Sequence, residues 1–340
     1  MDAQKFFPFY ERIACRIPGY IFRRVLVSGI LGLAFLAAHY VSIGNQVFGM
    51  AGDDRSWFLG ILISTAMLCL YYATHTLRAM FPKMNARLDA GGKELCMQVL
   101  MRALSDSNFV RIGLLFGLLN CGFGYSFGLP YSNGPAIFTI LLGYFLAGFV
   151  CGMAVWGIYG VFVAISAFSR KAKVSFDFTS PDHCGGTLFL GEALIKFGSV
   201  TLIVGVLISV YILKTQWTAE GAWWITSLKG FWIVFPYLAS LFAYIGPAVP
   251  ISEQLKDYKI EQERVLQGRL RKIQEDLEGE TAEPAKRKDL REDYEFQQNK
   301  RKQLHAMWTW PFDLGAHLRY LFVFGANSLA HKYLPWLTSK

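Results

Sequence analysis

The sequence predicts an all-α fold: a polytopic transmembrane helical bundle of about six spans with a cytoplasmic helical hairpin. Three observations carry that prediction. The 340-residue chain is 53% hydrophobic and only 17% charged, with a mean hydropathy of +0.31, whereas soluble domains are about a quarter charged. Six apolar runs, none containing Asp, Glu, Lys or Arg, are long enough to cross a bilayer, which takes about 20 helical residues. The basic residues alternate between the loops joining those runs, rich on one side and nearly absent on the other.

Residues 1–24 form a cytoplasmic N-terminal segment. The first run, Val25 to Ile43, follows Arg23 and Arg24. It is long for a signal-peptide core, so it reads as a retained anchor. Next come Trp57 to Thr76, Ile112 to Gly128, Ala136 to Phe168, Phe197 to Leu213 and Gly230 to Ile251, which complete a six-span domain over 25–251. With the N-terminus inside, the inner segments hold 31 of the 34 Lys and Arg residues, and the outer loops hold only Arg55, Lys214 and Lys229. This asymmetry predicts that both termini are cytoplasmic. Trp57, Tyr131, Trp217, Trp223 and Trp224 mark the outer boundary, where amphipathic rings favour the headgroup layer.

Two runs are irregular. Ala136 to Phe168 would reach roughly 50 Å as helix against a core of about 30 Å, so it tilts or its last turns leave the membrane towards Arg170. The sixth run contains Pro236, Pro247 and Pro250, which predict a kink and a frayed inner end.

Residues 252–305 carry 13 basic and 13 acidic residues, so the net charge of +9 comes from elsewhere in the chain. The segment reads as two charged helices around a turn at Gly279 to Pro284. Leu266, Leu270, Ile273 and Leu277 supply a short apolar seam, compatible with a brief coiled coil or a solvated helical pair. Residues 306–340 form an amphipathic tail. Asp313 is placed to cap a helix carrying Leu314, Leu318, Leu321 and Phe322 on one face. With His317, Arg319, Asn327 and His331, that helix is expected on the membrane surface or against neighbouring helices, not as a seventh span.

Functional signals are sparse. There is no H-E-x-x-H, P-loop, G-x-S-x-G or dinucleotide fingerprint. The six cysteines form no C-x-x-C pair or zinc-type spacing, and none falls in an outer loop, so no metal, cofactor or structural disulfide is expected. The spans contain only His39 and His75 as titratable histidines, both near membrane ends, which disfavours a proton-coupled carrier. Cys121-Gly-Phe-Gly-Tyr125 has a superficial likeness to a potassium filter. A re-entrant segment there would put Arg170, Lys171 and Lys173 outside, against the charge asymmetry.

The third run contains Gly113, Gly117, Gly124 and Gly128, and the fourth Gly148 and Gly152, each pair four apart. Such spacing lets helix backbones approach closely, either within the chain or between subunits. The loop from Arg170 to Lys196 places Arg170, Lys171 and Lys173 before Asp182, His183, Gly185 and Gly186, where a helix opens near Thr187. Free N–H groups at that helix start make it a candidate anion or lipid-phosphate site, with Asp182 alternatively capping the helix or pairing with Lys173. Glu192 and Lys196, four apart, are expected to pair.

Pro181-Asp182-x-x-Gly185-Gly186 with Leu190-Gly191, and the tail element Trp310-Pro311-Phe312-Asp313, resemble two motifs of uncharacterised bacterial multi-pass inner-membrane proteins. That group reads H-P-D-x-x-G-G, with His where this chain has Ser180. The resemblance implies a bacterial inner-membrane location and no established activity.

The expected partners are membrane lipids, further copies of the chain and a cytoplasmic protein bound through 252–305; no nucleic acid is expected. The leading expectation is a homo-oligomeric pore gated by its cytoplasmic arm, not an enzyme. The alternatives are a non-conducting scaffold or signalling protein, and a lipid-modifying or intramembrane enzyme using Asp182 and His183.

Overall fold

The computed structural model describes residues 8–15, 22–43, 54–126, 136–171, 174–214, 223–278, 284–312 and 314–337. Its helices are α1 (Phe9–Cys15), α2 (Phe22–Ile43), α3 (Asp54–Ala86), α4 (Ala90–Ala103), α5 (Asp106–Ser126), α6 (Ala136–Lys171), α7 (Leu188–Lys214), α8 (Trp223–Ile245), α9 (Ala248–Glu278), α10 (Pro284–Ala306) and α11 (Leu314–Leu337). Strand pairing among the described residues amounts to an isolated antiparallel bridge between Leu88 and Val174.

Six helical segments are long and apolar enough to cross a membrane: Phe22–Ser42, Ser56–Ala86, Ala90–Ser126, Ala136–Phe168, Leu188–Leu213 and Trp223–Glu278. Each coincides with one of the runs predicted from sequence, and the helices continue past their charge-free cores. A helix already satisfies its backbone hydrogen bonds, so it has no reason to stop at the edge of the apolar layer.

The polytopic bundle is built around α3 and α6. Helix α3 packs against α2, α6 and α7, and α6 packs against α5, α4, α3 and α2; α8 covers α7. Their contacts form layers along the bundle. Phe35, Leu59, Ile63, Ile140, Tyr144 and Tyr211 fill one end. Met67, Leu70, Tyr71, Val150, Met153 and Val204 fill the middle. Met84, Leu88, Leu100, Phe168, Leu194, Leu255 and Phe312 fill the end from which α9 departs, here the hairpin end.

Helix α6 stays continuous for 36 residues, about 54 Å at 1.5 Å per residue. Its last turns, with Ile165 and Phe168, pack among Cys96 and Leu100 of α4 at the hairpin end, so the extra length continues beyond the neighbouring apolar runs. Between α8 and α9 the structure departs from the expected fraying. The chain turns at Gly246–Pro247, with the Gly246 N–H donating to Phe242 O at 2.9 Å, and resumes as helix at Ala248. Pro250 lies in the first turn of α9, where a missing N–H costs no helical bond. Pro236 remains inside α8 and fits against Gly205.

Helices α9 and α10 form the hairpin. Leu266, Leu270 and Ile273 are buried on α9, and Leu304 is buried on α10. Arg301 Nε donates to Glu263 Oε1 at 2.8 Å, and His305 Nε2 lies 3.4 Å from Glu263 Oε2.

The tail helix is packed, but through a different face from the expected one. Leu318, Leu321 and Phe322 are exposed, whereas Tyr320 is buried, facing Gly198. Phe324 continues the contact beside Leu202 and Tyr237. Helix α11 therefore runs alongside α7 in the same direction. Amphipathicity alone mispredicted its buried side, because in a bilayer the outward face is also apolar.

Candidate functional site

The most organised polar structure lies at the hairpin end, where the 174–187 loop, the start of α7, the root of α9 and the 307–312 segment meet. The loop is anchored first. Val174 bridges Leu88, Ser175 N–H donates to Arg87 O at 2.9 Å, and Asp177 N–H donates to Gly185 O at 3.2 Å. The chain then reverses through three left-handed residues, His183 (φ 52°), Gly185 (φ 64°) and Gly186 (φ 81°). Glycine is required at 186 by its φ, and the space a Cβ would take there is filled by the end of the Arg87 side chain.

Asp182 closes the turn. Its Oδ1 accepts from Cys184 N at 3.0 Å and Gly186 N at 2.9 Å, and Oδ2 accepts from Leu188 N at 3.2 Å. Burial pushes this carboxyl up. The Gly186, Cys184 and Leu188 N–H bonds, together with Ser180, outweigh it and hold Asp182 below its ordinary pKa. Nearby, hydrogen bonds from the Thr179 hydroxyl and N–H hold Asp177 low as well.

This geometry decides between two of the roles open to Asp182. The Asp182 carboxylate caps the first N–H of α7, at Leu188, and spends its other oxygen on the Cys184 and Gly186 N–H groups of the turn before it, so its negative charge occupies the helix start. Of the basic residues assigned to that anion site, Arg170 and Lys171 end α6, and Lys173 lies outside the described residues. Asp182 and His183 do not converge. His183 is exposed, and its carbonyl accepts from Trp308 N at 2.7 Å. Glu192 and Lys196 form no ion pair, since none joins them among the described residues. No group of three or more His, Cys, Asp or Glu residues among the described residues could hold a metal ion.

The tail motif completes the junction. Pro311 and Phe312 are buried, and the Pro311 carbonyl sits on Gly191. Phe312 packs on Tyr244 with ring centroids 4.6 Å apart, and Tyr244 stacks on Tyr320 at 4.3 Å. The Tyr244 hydroxyl bonds His317 Nδ1 at 2.7 Å, and the Ser240 hydroxyl bonds Tyr320 at 2.8 Å. Lys259 Nζ, from α9, donates to His305 O at 3.0 Å and Met307 O at 2.8 Å. The two motifs singled out from sequence therefore meet, at Gly191 and Pro311. Asp313 lies outside the described residues.

The glycine stripes form a separate feature. Gly113 and Gly117 face Phe149 and Phe145, Gly124 faces Tyr144, and Gly148 and Gly152 lie against the α5 backbone at Phe116 and Ile112. All five join α5 to α6 within one chain; Gly128 lies outside the described residues. Arg87, Lys259 and Trp308 were missed by sequence reasoning. No local pattern distinguishes them from other residues of their helices and turns.

The fold and the junction define a multi-pass integral membrane protein whose sixth span leads into a helical hairpin. Comparison with protein-family models, curated proteins and solved structures gives no match.

Proposed function

We propose that this chain is a non-conducting scaffold of the bacterial inner membrane that holds a two-helix arm in a fixed orientation and presents it to a cytoplasmic protein. One observation carries the reading. The arm follows span six after a two-residue turn. Lys259 of α9 closes on Met307 O after α10, and the closed base is tied to the span side at two points, Trp308 to His183 O and Pro311 on Gly191. A tether needing only attachment has no use for such a base. Beyond it, α9 and α10 expose dense charge of both signs, including Arg271, Glu275, Lys288 and Glu292, and mixed charge favours selective over nonspecific pairing. A cytoplasmic arm is supported by the 31 of 34 basic residues on that side. A bacterial inner membrane is supported by the two motifs, which pack on each other.

Photo-crosslinkers at Arg271 and Lys288, with Leu118 on the exposed face of α5 as control, test the reading in intact cells. The expected result is a discrete adduct from the arm positions that is absent at Leu118. Adducts that are indistinguishable among the three positions, or absent from all, contradict it.

A homo-oligomeric pore is the second reading. It draws on the exposed apolar face of α8, with Phe231, Val234, Leu238 and Phe242, which leads directly into the arm. The glycines of α5 and α6 no longer support it, because intrachain contacts occupy them. Ion flux from liposomes holding the full chain, together with a defined oligomer in detergent, would favour the pore over the scaffold.

A further inference from the structure

We infer that α11 is a seventh membrane-crossing helix, and that its outward face, carrying Leu318, Leu321 and Phe322, is covered by lipid acyl chains. The arm is then an inner loop anchored in the bilayer at both ends, whatever it binds.

The depth of α11 follows from its contacts with two neighbouring spans. Against α8 the two partners advance in opposite directions. His317 Nδ1 bonds the Tyr244 hydroxyl at 2.7 Å, the Tyr320 hydroxyl bonds Ser240 at 2.8 Å, and Phe324 packs on Tyr237 with ring centroids 5.0 Å apart. Against α7 they advance together. Tyr320 faces Gly198, and Phe324 packs against the cluster of Leu202, Val206 and Val210. Each turn of α11 therefore moves away from the hairpin end and into the layer of the spans. A helix resting on the membrane surface would meet α7 and α8 at one level, not along a line of contacts. With 24 residues, α11 reaches about 36 Å, against an apolar core of about 30 Å.

The chemistry of α11 agrees with that depth. Arg319 precedes Tyr320 and so lies near the level of Lys196, just before the charge-free run of α7 begins at Phe197. After Arg319 no Asp, Glu, Lys or Arg occurs until Lys332. Polar side chains within that stretch bond their own helix: Asn327 Nδ2 donates to Val323 O at 2.8 Å, and Ser328 Oγ donates to Phe324 O at 2.8 Å. A helix needs such internal partners where water cannot supply them. Leu318, Leu321 and Phe322 are exposed at the depth where Leu238 and Leu241 of α8 are exposed, so α11 continues an apolar outer surface that a span has already formed. Composition alone leaves α11 out of the spans, because His317, Arg319 and Asn327 lower its hydropathy. Of the 31 basic residues assigned to the inner side, the crossing transfers only those after Arg319, so the asymmetry that orients the chain survives.

The test reads sidedness and depth in the full chain. In spheroplasts, a membrane-impermeant maleimide is expected to label Ser339→Cys without permeabilisation, as it labels Trp223→Cys at the outer end of α8. It should label Gln274→Cys on the arm only after permeabilisation. In lipid, a spin label on Phe322→Cys is expected to be reached by oxygen and shielded from a water-soluble nickel chelate, as is one on Leu238→Cys, whereas a label on Gln274→Cys should show the reverse. Labelling of Ser339→Cys only after permeabilisation, or in neither condition, would overturn the crossing. So would nickel access at Phe322→Cys equal to that at Gln274→Cys, because that face of α11 would then lie in water.

Discussion

A Cβ built on Gly191 would lie 1.8 Å from the carbonyl oxygen of Pro311. The first turns of α7 and the segment leading into α11 are therefore in backbone contact, and only glycine permits it. This contact joins the tail to the spans and sets the base of the hairpin.

Gly191→Ala must displace the Pro311 backbone and, with it, Phe312 from its place on Tyr244. The expected cost is at least about 1–3 kcal/mol, the usual penalty of overpacking. Gly268→Ala, on the exposed face of α9 with nothing near its Cβ position, should be neutral or stabilise by about 0.5–1 kcal/mol. Thermal unfolding of both variants in detergent checks the pair.

Asp182→Ala removes the acceptor for the Cys184 and Gly186 N–H groups of the turn and for Leu188 N–H, the first of α7, with an expected loss of about 1–2 kcal/mol at neutral pH. The folded carboxyl titrates below its ordinary value. Its contribution is therefore complete above the unfolded pKa, about 3.9, and disappears as the pH falls through the folded one. The midpoints of wild type and variant should differ at pH 7 and converge below about pH 4. A pH-independent gap contradicts the charged cap.

Gly148→Val places side-chain atoms against the α5 backbone, where a Cβ already lies 2.6 Å from Phe116 O. The variant is expected to lower thermal stability without changing the oligomeric state in cross-linking or mass measurements. A change from a defined oligomer to monomer at unchanged stability would restore the glycines to a subunit interface.

Leu304→Ala opens a cavity in the hairpin seam, where Leu304 is fully buried. A loss of about 2–4 kcal/mol in the local stability of α9 and α10 is expected, read as faster amide exchange there. Exchange in α3 and α6 should remain unchanged.

The spans were legible because the bilayer imposes one simple requirement: about 20 apolar residues with no unpaired charge. The hairpin was legible from its charge density and the Leu266–Ile273 spacing. Helix α11 shows where that logic stops. Leu318 and Phe322 marked its apolar side, yet Tyr320 and Phe324 make its contacts, because apolarity does not separate lipid from protein. At the junction, the two motifs were visible but their meeting was not, since Gly191 and Pro311 are far apart in sequence and only the fold juxtaposes them. Arg87 carried no signal at all; its place over Gly186 depends on the turn after α3. The role of Asp182 stood open as cap, pair or anion site until the directions of the neighbouring N–H groups were known.

The central claim is that the arm is held rigidly to the spans, and a spin-label distance measurement tests it most directly. One label goes at Gln274 on the exposed side of α9 and the other at Leu118 on α5, in the full chain reconstituted in lipid. The account predicts a single narrow distance distribution in wild type that broadens in Gly191→Ala. A broad distribution in wild type, unchanged by the substitution, would contradict it.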